Sequence, residues 1–448
     1  MNPTGTWRPL LTEDDEPELT RQVWEAVRAV GEALRKPGEG EIPTAGGGQA
    51  DEAVLAQLNG ANLSTGNAGL SLFFTYLAQA TQDDSWADLA AERIDRALEA
   101  VALHPIGSSF YGGFAGVAWV LQHLQGRLFE PDGDGDEEAA PGDTEEALLK
   151  LLEGDSWGSD YDLIGGLAGF GVYALEALPS AGARAVLERV LHHLEALARE
   201  RPEGLTWHTA PQLLPPHQRQ LYPDGYYNVG VAHGVPGIAG LLAGMAAAGI
   251  EPERTGRLLA GAVSWVLAQE GESEIGRCFP HFSAPGLPGG EGAGPGQASR
   301  LAWCYGDPGI AAVLLAAARA AGREDWEERA VATALRSAAR PLASSQVRDV
   351  GLCHGTAGLA HLLNRLHQAT GRPELAAAAR DWVRRTLEMR QPEGVAGFMC
   401  WDTAKGGWWP ERGFLTGAAG VGLCLLGTVS PIEPAWDRAI LTALSPKA

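Results

Sequence analysis

Two short segments of this chain place cysteine and histidine directly before glycine: Trp303-Cys304-Tyr305-Gly306 and Leu352-Cys353-His354-Gly355. Together they offer two thiols and an imidazole. Soft sulfur and borderline nitrogen donors suit zinc, which takes four ligands in a tetrahedron and makes no redox demand. With Cys304, Cys353 and His354 as ligands the fourth position stays open, the mark of a catalytic rather than a structural metal. Buried cysteines also serve as small hydrophobes. That reading accounts neither for the shared register of Cys304 and Cys353 nor for the adjacent His354.

Further groups of the same kind stand nearby in the pattern. Ala232-His233-Gly234 puts a second histidine at the position equivalent to His354. A neutral imidazole near a metal-bound thiolate can exchange protons near neutral pH. Asp162, four residues before Gly166, could orient that histidine or simply cap a helix. Arg300, four residues before Cys304, and Tyr305, beside it, could each bind a carbonyl oxygen or an enolate as charge develops. Spacing does not choose between them. Cys278, Cys400 and Cys424 fall outside the register and read as structural, with Cys278 also able to act as a secondary thiol.

What must position these groups is a repeat. A Gly-x-x-Gly pair followed by an apolar run occurs seven times, beginning at Gly66, Gly113, Gly166, Gly234, Gly306, Gly355 and Gly417. The runs are rich in Ala, Leu and Val, apolar all round, and predict buried inner helices. Between them Trp86–Val101, Ala181–Arg199, Trp326–Leu342 and Leu375–Leu387 carry apolar residues at helical spacing opposite charged ones, predicting outer helices. Irregular intervals fit helical hairpins with insertions. The predicted fold is all-α: a double-layered α/α toroid of seven helical-hairpin repeats whose inner helices start at the Gly-x-x-Gly motifs. The first and last pairs lack the atypical look of capping repeats, which favours a closed ring. Cysteine and tyrosine are poor helix caps, so capping does not explain the residues before Gly306 and Gly355. The expected division is an N-terminal segment with the first outer helices (1–61), the toroid domain (62–426, with a small insertion at 203–228), and a C-terminal outer helix and tail (427–448).

Composition narrows the function. With 448 residues, 45% of them hydrophobic, the chain can bury a large core; length alone would suggest two or three domains, whereas the repeat argues for one. A net charge of −22 without basic clusters argues against nucleic acid. The N-terminus is polar and no long apolar run occurs, so neither a transmembrane helix nor a signal peptide is expected. A cytoplasmic location follows, with a place at the edge of a membrane-associated biosynthetic complex left open. Five cysteines are unlike a disulfide framework. The acidic tract Asp132–Glu146 reads as an exposed loop. Glu203–Asn228 reads as a small inserted subdomain or substrate-facing surface, and Ser283–Gln297 as a lid or linker.

Taken together, Ala232-His233-Gly234-x-Pro-Gly, Trp303-Cys304-Tyr305-Gly306 and Cys353-His354-Gly355, set among seven glycine pairs, resemble the lanthionine synthetase C-like family, the lanthipeptide cyclases. The resemblance runs from about Asn62 to Leu426. It implies a double-layered α-toroid and zinc bound by Cys304, Cys353 and His354. It further implies His233 as acid/base, Asp162 and Arg300 at active-site positions, and Tyr305 beside the metal. The implied reaction adds a cysteine thiol of a dehydrated precursor peptide to dehydroalanine or dehydrobutyrine, closing a lanthionine or methyllanthionine ring. No dehydratase-like region is evident, so a stand-alone cyclase with a separate dehydratase partner is expected. Glu203–Asn228 is the candidate for the small β-rich insertion such cyclases can carry; the acidic tract is a departure from the family pattern. Three alternatives compete. A relative could add glutathione to dehydroamino acids of damaged proteins, although the Cys-Tyr-Gly form at Cys304 leans towards the peptide cyclases. A prenyltransferase-like toroid would need an aspartate beside Cys-x-x-His, which is not seen. A non-catalytic toroid scaffold of a peptide-modifying complex would not need the ligands or His233.

Overall fold

Each of the seven leading glycines is the N-terminal cap of a helix in the computed structural model. The helices are Asn67–Thr81, Phe114–Leu124, Leu167–Glu176, Val235–Ala247, Asp307–Ala321, Thr356–Thr370 and Ala418–Val429. The structure describes residues 5–36, 60–104, 106–129, 142–283, 299–402 and 406–447. Helices dominate it, and the strands are two or three residues long.

The glycines are required by the loops that precede them. Before Gly66, Gly113, Gly166, Gly234 and Gly306 the loop folds back so that the carbonyl six residues upstream occupies the place of a side chain; before Gly355 and Gly417 other atoms of the loop, nearest the Gly351 and Gly413 amides, fill it. A Cβ on Gly113 would lie 2.0 Å from the Gly107 carbonyl oxygen, and one on Gly166 would lie 2.0 Å from that of Asp160. The second glycines meet the same obstacle: Gly116 at 1.8 Å from Phe110 O, Gly358 at 1.8 Å from Leu352 O, and Gly420 at 1.9 Å from Phe414 O. Non-bonded atoms cannot share that space, so an alanine must displace backbone. Gly358→Ala should therefore destabilise by about 1–3 kcal/mol or more. By contrast Gly256, in the middle of helix Pro252–Ala268 with open space around it, should gain about 0.5–1 kcal/mol on replacement by alanine. Thermal unfolding of the two variants checks the opposite signs.

The glycine-led helices are buried almost all round; every residue of Ala418–Val429 is buried. Their partners bury one stripe. Pro373–Glu388 buries Leu375, Ala376, Ala379, Trp382, Val383 and Thr386, spacings that keep one helical face inward.

The chain forms two units. The first comprises Met1–Asp134, Val347–Trp436 and Ser445–Ala448. Within it Asn67–Thr81 packs on Asp84–Leu103, Thr356–Thr370 on Pro373–Glu388, and Ala418–Val429 on Pro17–Arg35. The last glycine-led helix thus takes its outer partner from the N-terminal part of the chain. The stretch expected to supply a C-terminal outer helix instead forms a 3-10 helix, Ala435–Ile440. The pre-glycine loops of this unit are hydrogen bonded in series: Cys353 N donates to Leu415 O (2.8 Å), Leu415 N to Ser64 O (3.2 Å), and Ser64 N to Tyr111 O (3.0 Å). The final segment is therefore a neighbour of the first.

The second unit comprises Gly135–Gln346 and Asp437–Leu444. Leu167–Glu176 packs on Ala181–Leu197, Val235–Ala247 on Pro252–Ala268, and Asp307–Ala321 on Glu324–Ala339. Its loops are linked in the same way, Leu163 N to Ala232 O (3.2 Å) and Ala232 N to Cys304 O (3.4 Å). Buried Trp303 ties the 3-10 helix in by donating from Nε1 to Ile440 O at 2.7 Å.

Glu203–Asn228 carries strands Gly204–Thr206, His208–Thr209 and Tyr226–Asn228 and a short helix, Pro216–Leu221. Tyr226–Asn228 is the middle strand of a three-stranded antiparallel sheet with His208–Thr209 and Phe282–Ser283. The acidic tract is not all exposed loop. From Asp143 it belongs to helix Asp143–Leu151, and Glu145 is buried, accepting from the Tyr173 hydroxyl at 2.7 Å. Residues 132–141 of the tract, and 284–297 of the Ser283–Gln297 segment, lie outside the described residues. Among the described residues no helix is long and apolar enough to cross a membrane.

Candidate active site

In the second unit, the residues before Gly166, Gly234 and Gly306 gather polar groups in one place. His233 Nδ1 lies 2.6 Å from Asp162 Oδ2, and Asp162 Oδ1 accepts from the Gly165 amide at 2.8 Å. Asp162 therefore does both things its position allowed, bonding its own turn and orienting the histidine. With Nδ1 engaged by a carboxylate, Nε2 is the nitrogen available for proton exchange. Burial disfavours charge on His233, but the Asp162 hydrogen bond and charge, with Cys304 and Asp160, outweigh it and raise its pKa above the usual histidine value. Asp160 is itself raised, by burial and by the charge of Asp162.

Tyr305 packs against this pair, its ring stacked on His233 with centroids 6.2 Å apart. Burial raises the phenol well above its usual range, against the pull of the Asn228 hydrogen bond, so it stays protonated at neutral pH. Asn228 Nδ2 donates to Tyr305 Oη at 2.9 Å, while Asn228 Oδ1 accepts from Gly230 N at 2.8 Å. Gly230 is tightly packed as well: a Cβ there would meet Cys304 O at 2.6 Å and the Tyr305 ring at 2.7 Å. His281 completes the group, with its ring 5.4 Å from that of Tyr305. Its pKa is lowered by burial and by the nearby Arg300 cation, against a smaller opposite effect of Cys304. The structure therefore brings Asp162, His233, Arg300, Cys304 and Tyr305 into one neighbourhood and adds Asn228, Asp160 and His281. Gly306 has φ 138°, a conformation that favours glycine, directly after Cys304-Tyr305.

The first unit holds Cys353 and His354, both half-buried. The Cys353 amide is fixed by Leu415 O. His354 Nε2 lies 3.7 Å from Asp349 Oδ2. Asp349 is buried, and its carboxylate also accepts from Gly351 N (3.3 Å) and Trp401 N (3.0 Å). The remaining cysteines, Cys278, Cys400 and Cys424, are buried and in no disulfide. Burial raises the Cys278 thiol, and burial with the charges of Asp349, Glu411 and Asp402 raises that of Cys400 to about 11. Neither has the depressed pKa of a reactive thiol.

Asn228 and Asp349 stand at the same place, six residues before the leading glycine, and each bonds the amide two residues on. Glu411 does the same before Gly417, accepting from Gly413 N at 3.1 Å. An acceptor at that position is a signal readable in the sequence, and it marks residues that spacing from the cysteines alone does not.

A model of the family described as lanthionine synthetase C-like protein matches residues 57–441. Among solved structures the chain is similar to nisin cyclase, with a TM-score of 0.69 at 18% identity, over 96% of this chain and 98% of that one. At that identity the likeness speaks for the fold.

Proposed function

From its membership of the lanthionine synthetase C-like family, we propose that the protein is a zinc-dependent cyclase. It would add cysteine thiols of a dehydrated precursor peptide to dehydroalanine and dehydrobutyrine, giving lanthionine and methyllanthionine rings. The observation that carries this reading is the Asp162–His233 pair packed on Tyr305 beside Cys304, a proton-transfer apparatus next to a thiol ligand. The architecture proposed with it is a closed double-layered ring of seven hairpins within 62–426. The hydrogen bonds from the final pre-glycine loop back to the first support closure.

Cys304, Cys353 and His354 would hold the zinc. Two thiols with one imidazole are a donor set that zinc takes readily, and Cys304 and Cys353 stand at the same place before their leading glycines. A bound zinc lowers the pKa of a substrate thiol, so that a thiolate is present to attack. The sulfur then forms a bond to the β-carbon of the dehydro residue, the double-bond electrons move towards the carbonyl, and the α-carbon receives a proton. His233, held by Asp162, is placed to deliver that proton, and Arg300 to stabilise the enolate oxygen. Tyr305 remains a neutral hydroxyl donor. A separate dehydratase must supply the unsaturated peptide, and a cytoplasmic location suits that partnership.

Ring closure leaves the peptide mass unchanged and removes free thiols. Incubation with a dehydrated Ser/Thr/Cys-rich peptide should therefore abolish its labelling by a maleimide. Glutathione with a dehydroalanine-bearing protein should give little adduct. Adduct formation with glutathione alone, and no loss of peptide thiols, would transfer the assignment to glutathione addition.

A further inference from the structure

Asp349 is buried five residues before His354 and faces that imidazole. Resting on the zinc reading above, we infer that Asp349 is a positioning residue for His354. Its carboxylate, 3.7 Å from Nε2, acts through charge rather than a hydrogen bond at this distance, favouring a proton on Nε2 and leaving Nδ1 as the metal-binding nitrogen. Histidine ligands commonly donate their second nitrogen to a carboxylate, which fixes the tautomer and raises the basicity of the first.

The competing explanation is that Asp349 serves only its loop. It does serve the loop, through Gly351 N and Trp401 N. The chain itself shows what that duty requires. Asn228 meets it before Gly234 with an amide, and Glu411 meets it before Gly417 with a longer carboxylate. Any acceptor of suitable length is enough for the turn, so the turn alone does not call for a charge here. The comparison with Asn228 is instructive because it too lies five residues before a histidine, His233. There the amide turns its donor to Tyr305 Oη, and a different aspartate, Asp162, holds the imidazole. In the later repeat the loop acceptor and the histidine partner are one residue.

Both precedents supply a variant that the fold already tolerates in its own repeats. Asp349→Asn keeps the size and the acceptor for Gly351 N, gives up the acceptor for Trp401 N and removes the charge; Asp349→Glu keeps the charge and both acceptors and changes the reach. The readout is zinc affinity of the full chain, by competition with a chromophoric chelator, alongside thermal unfolding without metal. The expected order is wild type tightest, Asp349→Glu within a few-fold of it, and Asp349→Asn weaker by about 10- to 100-fold. A loop-only role predicts affinities that follow the unfolding temperatures of the two variants. Equal affinities, or Asp349→Glu as weak as Asp349→Asn, would overturn the inference while leaving the zinc reading intact. A wild-type chain that binds no zinc, or a Cys353→Ser chain that binds it undiminished, would instead remove the zinc reading and this inference with it.

Discussion

Replacing His233 by asparagine is expected to slow ring formation by about 10²- to 10⁴-fold, the usual worth of a positioned acid/base, with zinc content unchanged. Zinc content would be measured by metal analysis and the rate by loss of maleimide-reactive thiol. The zinc ligands proposed above do not include His233, so the metal should stay. The amide cannot deliver a proton near neutral pH. A companion change separates the proton-transfer role from simple contact. Asp162 holds His233 through the 2.6 Å hydrogen bond and its charge, the largest of the effects that together outweigh burial and raise the histidine pKa. A raised pKa keeps the imidazolium populated to higher pH. If the imidazolium is the proton donor, activity falls as pH rises through that pKa, and the fall begins above the range of an ordinary histidine. Asp162→Asn removes the charge and the charge-assisted hydrogen bond and leaves burial opposed only by the smaller effects of Cys304 and Asp160, so the alkaline fall should move to lower pH. A limb that stays in place, or moves upward, would mean another group delivers the proton.

The parts of the fold that were legible in the sequence are those governed by local pattern. Apolar runs after the glycines become buried helices, and charged-face segments such as Trp326–Leu342 overlap outer ones because burial follows helical periodicity. The chain ends were less legible because pairing there is non-local. Pro431 and Pro434 follow the last inner helix, and proline removes an amide donor and obstructs a continuing helix. The outer place is filled by Pro17–Arg35, far away in sequence. The end of the acidic tract was read as loop, although Asp143, Glu145 and Glu146 lie in the first turn of a helix, where negative charge favours the helix N-terminus. Residue type and register single out Cys304, Cys353, His354 and His233 as candidates. Asn228 and Asp349 carry the weaker signal of an acceptor six residues before a leading glycine, and what each one touches depends on a loop folding back over a helix start. His281 reaches Tyr305 beside the strand Phe282–Ser283, and nothing local announces that pairing.

Cys304→Ala should abolish zinc binding at micromolar metal and reduce cyclisation to background, the largest single effect predicted for this chain. The argument rests on charge and on donor count. A site with two thiolates and an imidazole holds a dication with neutralising charge; removing one thiolate leaves a single anion and two protein ligands. Structural zinc sites are worth about 10–16 kcal/mol at neutral pH, and losing one ligand of three forfeits a large share of such an energy. Loss of folding would be a trivial route to the same outcome, and the structure argues against it. The Cys304 backbone is anchored independently of its side chain, its carbonyl accepting from Ala232 N and the residue two places before it accepting from Gly309 N. A buried Cys-to-Ala change removes one sulfur atom. The metal-free variant should therefore unfold close to the metal-free wild type. What it should lose is the rise in unfolding temperature on adding zinc, because a ligand that binds only the native state stabilises by mass action. Cys278→Ala supplies the control: Cys278 is buried outside the repeat register, so its replacement should leave zinc stoichiometry and the zinc-induced rise as they are. A Cys304→Ala chain that kept full cyclisation would exclude the metal mechanism, because the thiolate proposed to complete the ligand set would be gone.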